Sequence, residues 1–212
     1  SGCSIESVAT DCQPEMRDWV DRNLDRLGGL LLPPRCILCG SPGQRPLLDL
    51  CGACEHSLPP AHPVVRPGPA PLRTSFAPFE YGHPLDHLVH ALKYRGQLAA
   101  GRVLGSLLGN RVAALGLACD ADVLVPVPLH RSRHATRGFN QSAEIARWVS
   151  RRAGPPVDPR LAERRRATLP QVGLHLPDRE SNVRGAFVAA ARVSGRRVVV
   201  IDDVTTTGST LA

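Results

Sequence analysis

The apolar positions of this chain change their period several times, and each change marks a different kind of element. Met16, Trp19, Val20, Leu24, Leu27 and Leu31 recur at helical spacing and predict an amphipathic helix within an N-terminal segment, residues 1–32. Further on, PLDHLVHALKYRG and QLAAGRVLGSLLGNRVAALG repeat apolar residues at i, i+3 or i+4 and predict two more helices. VLVPVPL, from Val123 to Leu129, is a short unbroken apolar run and predicts a buried strand. Pro126 and Pro128 weaken its last residues, since neither can donate to a ladder. QSAEIARWVSRRA predicts a helix, an Arg- and Pro-bearing segment runs from Gly154 to Asn182, and RRVVVIDDV predicts a second buried strand. Strands separated by helices imply an α/β fold with a parallel sheet flanked by helices.

With 212 residues, 42% of them hydrophobic, and no internal repeat, the chain is long enough for one ordinary core and a small appendage. A cysteine-bearing module is expected at 33–58 and a main domain at 79–212. Between them, residues 59–78 form a connector with seven prolines in twenty residues. Asp11, Glu15, Asp18, Asp21 and Asp25 interrupt the first thirty residues, which argues against a secretory leader, and no run of about 18 apolar residues is present. The expectation is a cytoplasmic protein with no membrane partner. Seven cysteines in that compartment call for a role other than disulfides.

Four of them have such a spacing. Cys36, Cys39, Cys51 and Cys54 read C-x2-C-x11-C-x2-C, two thiolate pairs of the kind that surround a tetrahedral zinc ion. Four thiolates leave no open coordination position, so the expected zinc is structural. Two disulfides or scattered buried cysteines are the competing reading. Cys3 and Cys12 have no evident partner, and Cys119 reads as a small buried hydrophobe.

Charge is distributed unevenly. Residues 1–130 carry 11 basic and 12 acidic side chains, whereas residues 131–197 carry 15 Arg against 5 acids. Such an excess fits a phosphate-rich partner, but a solvated surface or a GC-rich genome would also produce it, since Lys93 is the sole lysine.

The most informative stretch is VVVIDDVTTTGST, Val198 to Thr210. Its apolar run would deliver Asp202 and Asp203 to the carboxyl end of a parallel strand, where open α/β sheets place ligands. Two adjacent carboxylates can accept from both hydroxyls of a vicinal diol, such as a ribose. Thr205, Thr206, Thr207, Gly208, Ser209 and Thr210 then supply hydroxyls, and Gly208 permits close backbone approach to a phosphate at a helix N-terminus. An ordinary helix N-cap would account for one acid and one hydroxyl of this set.

VVVIDDVTTTGST resembles the phosphoribosyl diphosphate (PRPP) motif of type I phosphoribosyltransferases. LLLPPRCILCG, HALKYRG and VPVPLHRSRHATRGFNQSAEIA are similar to one branch, the ComF/GntX family, and the likeness covers roughly residues 24–212. The resemblance implies a type I phosphoribosyltransferase-like domain with an N-terminal zinc module. It implies Asp202 and Asp203 as the catalytic pair holding the ribose hydroxyls, and Thr205 to Thr210 as the 5′-phosphate loop. His130, Arg131, Arg133 and Arg137 would face the diphosphate, with Asn140 and Gln141 close by. A covering hood would contribute Thr168, Gln171, Arg179 and Asn182.

The implied activity is transfer of a phosphoribosyl group from PRPP with Mg²⁺ to an unidentified acceptor. Purine-salvage relatives often carry Asp where this chain has Thr206, so the phosphate loop holds no base, and His130 and Glu163 are the candidates. The alternative is a non-catalytic PRPP-binding module acting in DNA uptake, with single-stranded DNA or a competence protein as partner. Sheets of this type continue beyond the phosphate loop, so the domain is expected to be C-terminally short at residue 212.

Overall fold

A computed structural model describes residues 33–44, 48–62, 65–67, 72–167 and 185–205. The helix expected from Met16 to Leu31 lies outside the described residues. The cysteine-bearing module contains one short helix, α1 (Gly52–His56), and the connector contains a pair of antiparallel strands, β1 (Val65–Pro67) and β2 (Thr74–Phe76). Proline content had marked this segment as linker only. The strands are three residues each, too short to leave an alternating pattern.

Helices α2 (Leu85–Arg95) and α3 (Leu98–Ala114) follow, then β3 (Val123–Pro126), α4 (Arg131–Arg137) and α5 (Gln141–Ala153). A 3₁₀ turn (Pro159–Leu161) leads into β4 (Ala162–Arg164), which pairs antiparallel with β5 (Phe187–Ala189). The last strand is β6 (Val198–Ile201), parallel to β3. The three long helices and both expected strands occupy the expected segments, β3 fully buried and β6 buried only at Ile201. The first of those strands stops at Pro126 rather than Leu129, because Pro128 has no N–H to extend the ladder. The stretch after it is the helix α4, not an open loop. His130 Nδ1 accepts from the Ser132 N–H at its start, and Gly138, at φ 80°, ends it in a conformation that suits glycine.

The main core lies between β3, β6 and the helices. Leu92, Ala100, Leu124, Ile145, Ala146, Val149 and Ile201 form one buried cluster. A second cluster joins Cys36, Leu50 and Leu58 of the cysteine module to Leu85, Leu88, Val103 and Leu107 of α2 and α3. The module is further tied by Asp49, whose Oδ2 accepts from Arg102 Nε at 3.0 Å and from Nη2 of the same guanidinium. Among the described residues no helix is long and apolar enough to cross a membrane.

Helices α3 and α5 approach closely because α3 presents Gly101, Gly105 and Gly109 along one face. A Cβ at Gly105 would stand 2.6 Å from the Ile145 carbonyl oxygen and 2.6 Å from Trp148 Cβ, and one at Gly109 would stand 2.8 Å from Arg152 Cβ. Gly105→Ala should therefore lose about 1–3 kcal/mol in denaturant unfolding. Gly82→Ala, where nothing lies within 4 Å, should stay within about 0.5 kcal/mol of the parent.

Candidate functional site

The site is built where β3 and β6 end together. Their parallel register pairs Pro126 with Ile201, and the Val127 N–H still donates to the Ile201 carbonyl at 2.9 Å. Residues from Val127 and from Asp202 onward therefore leave the sheet at one edge, the carboxyl end. Asn140 anchors the returning chain, because its Nδ2 donates to the Val127 carbonyl at 3.0 Å while its Oδ1 accepts from the Ser142 N–H at 3.0 Å. That second contact caps α5 and aims its N-terminus at Asp202.

Asp202 Oδ1 accepts from Ser142 Oγ at 3.0 Å and from the Asp203 N–H at 2.9 Å. Asp203 Oδ1 accepts from the Val204 N–H at 3.1 Å. Its Oδ2 lies 2.6 Å from Lys93 Nζ, and the carboxylate side chain is only 6% exposed, the lysine 22%. The ammonium is not aligned as a hydrogen-bond donor, so Oδ2 is compensated by charge without a hydrogen bond. Burial first, and the Asp203 charge second, push the Asp202 carboxyl up to about 7, against the hydrogen bonds from Asp203 and Ser142.

Arginine supplies the opposite charge. Arg164, on β4, is half-buried, and its guanidinium lies over the Phe187 ring at 5.1 Å. Its pKa is lowered by burial first and by the charge of Arg133 second, with Asp202 acting in the other direction. Arg133, Arg164 and Asp202 thus share one electrostatic environment. Arg137 instead turns inward: Nη1 donates to Gln141 Oε1 at 2.6 Å, and the guanidinium lies 5.9 Å from the Tyr94 ring centre. A cavity of about 120 Å³ adjoins the acids, walled by Phe76 of β2, by Phe79 and Tyr81 ahead of α2, by Leu85 and Val89 of α2, and by Ile145 of α5.

On the other side of α2 and α3, Cys36, Cys39, Cys51 and Cys54 bring their sulfurs within 4.8 Å of one another, with Cys39 and Cys51 Sγ 3.6 Å apart. Gly40, at φ 75°, allows the first pair to turn back, and Cys51 caps α1 by accepting from the Cys54 N–H at 3.5 Å. Four thiolates around a zinc ion at about 2.3 Å stand about 3.8 Å apart, so the cluster already has the dimensions such an ion requires. Hydrogen bonds from Ser41 bring the Cys39 thiol down to about 6, while hydrogen bonds to Cys39 and Cys51 raise Cys54.

No family model matches the chain. Curated proteins do, among them DNA utilization protein YhgH of Salmonella typhimurium, which is 34% identical over 206 residues, covering 86% of this chain and 89% of its own. The YhgH of Escherichia coli is 34% identical over 183 residues, covering 84% and 74%, and competence protein F of Haemophilus influenzae 32% over 187 residues, covering 84% and 75%. The chain belongs to the ComF family.

In this ComF family member, the residues singled out from sequence are placed as follows. Asp202, Asp203 and Thr205 share the edge with His130, which caps α4. Arg131 points to solvent, 90% exposed and 3.5 Å from Glu163. Glu163 also faces Arg165 at 3.8 Å, and it stands on β4 away from the two acids' hydrogen bonds. Asn140 and Gln141 hold neighbouring elements in place, and Cys119 is exposed rather than buried. Thr206, Thr207, Gly208, Ser209, Thr210, Thr168, Gln171, Arg179 and Asn182 lie outside the described residues, as do Cys3 and Cys12. Lys93, Ser142 and Arg164 were not identified as site residues from sequence. The available clue to the first was that Lys93 is the sole lysine of the chain.

The raised Asp202 pKa has a measurable sign. The folded chain keeps a proton that the unfolded chain releases near pH 4, so stability falls as pH rises from about 4 through about 7. Asp202→Asn should be more stable than the parent at pH 8, with the difference shrinking toward pH 4 in thermal unfolding. Lys93→Met leaves Asp203 buried without its cation and should cost up to about 3 kcal/mol, the low end for a broken buried pair because Lys93 is partly exposed.

Proposed function

We propose that this ComF family member binds PRPP at the shared edge of β3 and β6. The observation that carries the reading is the pair Asp202 and Asp203, held side by side at the carboxyl end of a parallel strand by Ser142, backbone N–H groups and Lys93. In the proposal the two carboxylates accept from the ribose 2′ and 3′ hydroxyls, and Thr205 begins the phosphate loop that continues through Thr210. In this reading the chain carries a type I phosphoribosyltransferase-like domain, the fold that its sequence motif resembles.

Arg133 and Arg164 fit the diphosphate in this reading. Their mutual repulsion, partly relieved by Asp202, would be better relieved by an anion. Arg131 faces solvent beside Glu163, and Arg137 is engaged with Gln141. Mg²⁺ would arrive on the diphosphate and neutralise the charge that departs with it. As diphosphate leaves, positive charge would develop at the anomeric carbon, and the acid pair beside the ribose hydroxyls would stabilise it electrostatically.

We propose a structural zinc ion at Cys36, Cys39, Cys51 and Cys54. The buried cluster that includes Cys36 would then fasten the module to α2 and α3. The names of the relatives, DNA utilization protein and competence protein F, favour a role in DNA use for this chain. Within that role, single-stranded DNA is the candidate partner of the Arg-rich segment, where the Arg151 guanidinium lies 4.5 Å from the Trp148 ring centre.

Calorimetric titration with PRPP and Mg²⁺ tests the reading. The parent should bind, and Asp202→Asn/Asp203→Asn should weaken binding by about 100-fold or more while remaining folded, since two charge-assisted hydrogen-bonding groups are removed. Equal affinity in parent and variant would contradict it. For the cysteines, metal analysis should find about one zinc per chain in the parent and none in Cys36→Ser/Cys39→Ser. A folded, zinc-free parent would contradict the second proposal.

A further inference from the structure

A second group of metal-ligating side chains stands apart from the cysteines and from the acid pair. The segment HPLDH places His83 just ahead of α2 and Asp86 and His87 in its first turn, so the three residues follow an i, i+3, i+4 spacing. One ligand atom from each lies within 4.8 Å of the other two.

The contacts inside the group are already those of converging ligands. His83 Nδ1 is 3.8 Å from Asp86 Oδ1, and the His83 and His87 rings meet edge to face with centroids 4.9 Å apart. Asp86 Oδ1 accepts from the His87 N–H at 2.8 Å, which fixes the carboxylate over the first turn. Ligand atoms around a zinc ion at about 2.0–2.1 Å stand roughly 3.0–3.4 Å apart, so small side-chain rotations bring the three onto one ion.

We propose that His83, Asp86 and His87 form a binding site for a divalent transition-metal ion of the zinc class. Two imidazoles and one carboxylate are donors for which such ions outcompete Mg²⁺ and Ca²⁺. Three protein ligands on one face leave positions for water, unlike the closed four-thiolate cluster. The positive end of the α2 dipole opposes the ion and Asp86 offsets it, so binding is weaker than at the cysteines. The bound ion would pin residue 83 to the first turn of α2. Tyr81 and Leu85, on either side of that joint, wall the cavity beside Asp202 and Asp203, so the ion would stiffen that wall. The site stands whether or not PRPP binds.

The protein with its four cysteines saturated with zinc is titrated first with zinc by calorimetry and then, in a fresh sample, with cobalt(II) by visible absorption. The parent should take up one additional equivalent, and the cobalt spectrum should show d–d bands without thiolate-to-cobalt charge transfer. His83→Ala/His87→Ala should lose that equivalent while keeping the cysteine-bound zinc, which serves as the fold control. His90→Ala should retain it, because His90 lies outside the group and packs on Tyr94 with ring centroids 5.1 Å apart. No additional equivalent in the parent, or equal uptake by the parent and the double variant, would overturn the proposal.

Discussion

The parallel pairing of β3 with β6 is the constraint on which the rest of the molecule depends. Four residues on each strand pair in register, Val123 with Val198 through Pro126 with Ile201, and a slip of one position would turn every side chain to the other face. With the observed register, Leu124 and Ile201 enter the same buried cluster as Leu92, Ile145 and Val149. The two chain segments that leave the sheet at its carboxyl end are thereby brought together. The apolar core and the polar edge are two consequences of one alignment.

That alignment alone would leave two carboxylates crowded against an apolar interior. Three elements make the crowding tolerable: the capped start of α5 offers Ser142, the turn after β6 offers its own N–H groups, and α2 delivers Lys93. Each depends on packing farther away. The glycine face of α3 lets α5 sit close enough for Ser142 to reach Asp202, and the cluster of Leu50, Leu88 and Leu107 sets α2 and α3 against the cysteine module. The cysteine module is therefore connected to the acid pair through the packing of α2 and α3. Burial and the neighbouring Asp203 still raise the Asp202 pKa, so the compensation is incomplete.

Much of this was legible from residue order. Long amphipathic patterns marked α2, α3 and α5, and the apolar runs before Pro126 and Asp202 marked the parallel strands, because burial on a helix face or inside a sheet leaves a periodic trace. The cysteine cluster was legible from spacing alone. What escaped was short or tertiary. β1, β2, β4 and β5 have three residues each, and α4 is a seven-residue helix whose basic sequence, RSRHATR, carries no apolar face. Lys93, Ser142 and Arg164 act through partners far along the chain, so no local pattern announces them. Arg137 and Gln141 show the reverse, a motif whose residues bond each other and organise the edge from within.

The central claim is that the segments following β3 and β6 form one PRPP-reading edge. Amide hydrogen exchange, compared with and without PRPP and Mg²⁺, addresses it most directly. The account predicts added protection in residues 127–142 and 198–205 together, with the surface around Trp148 and Arg151 unchanged. Protection confined to that basic surface, or to only one of the two edge segments, would contradict it.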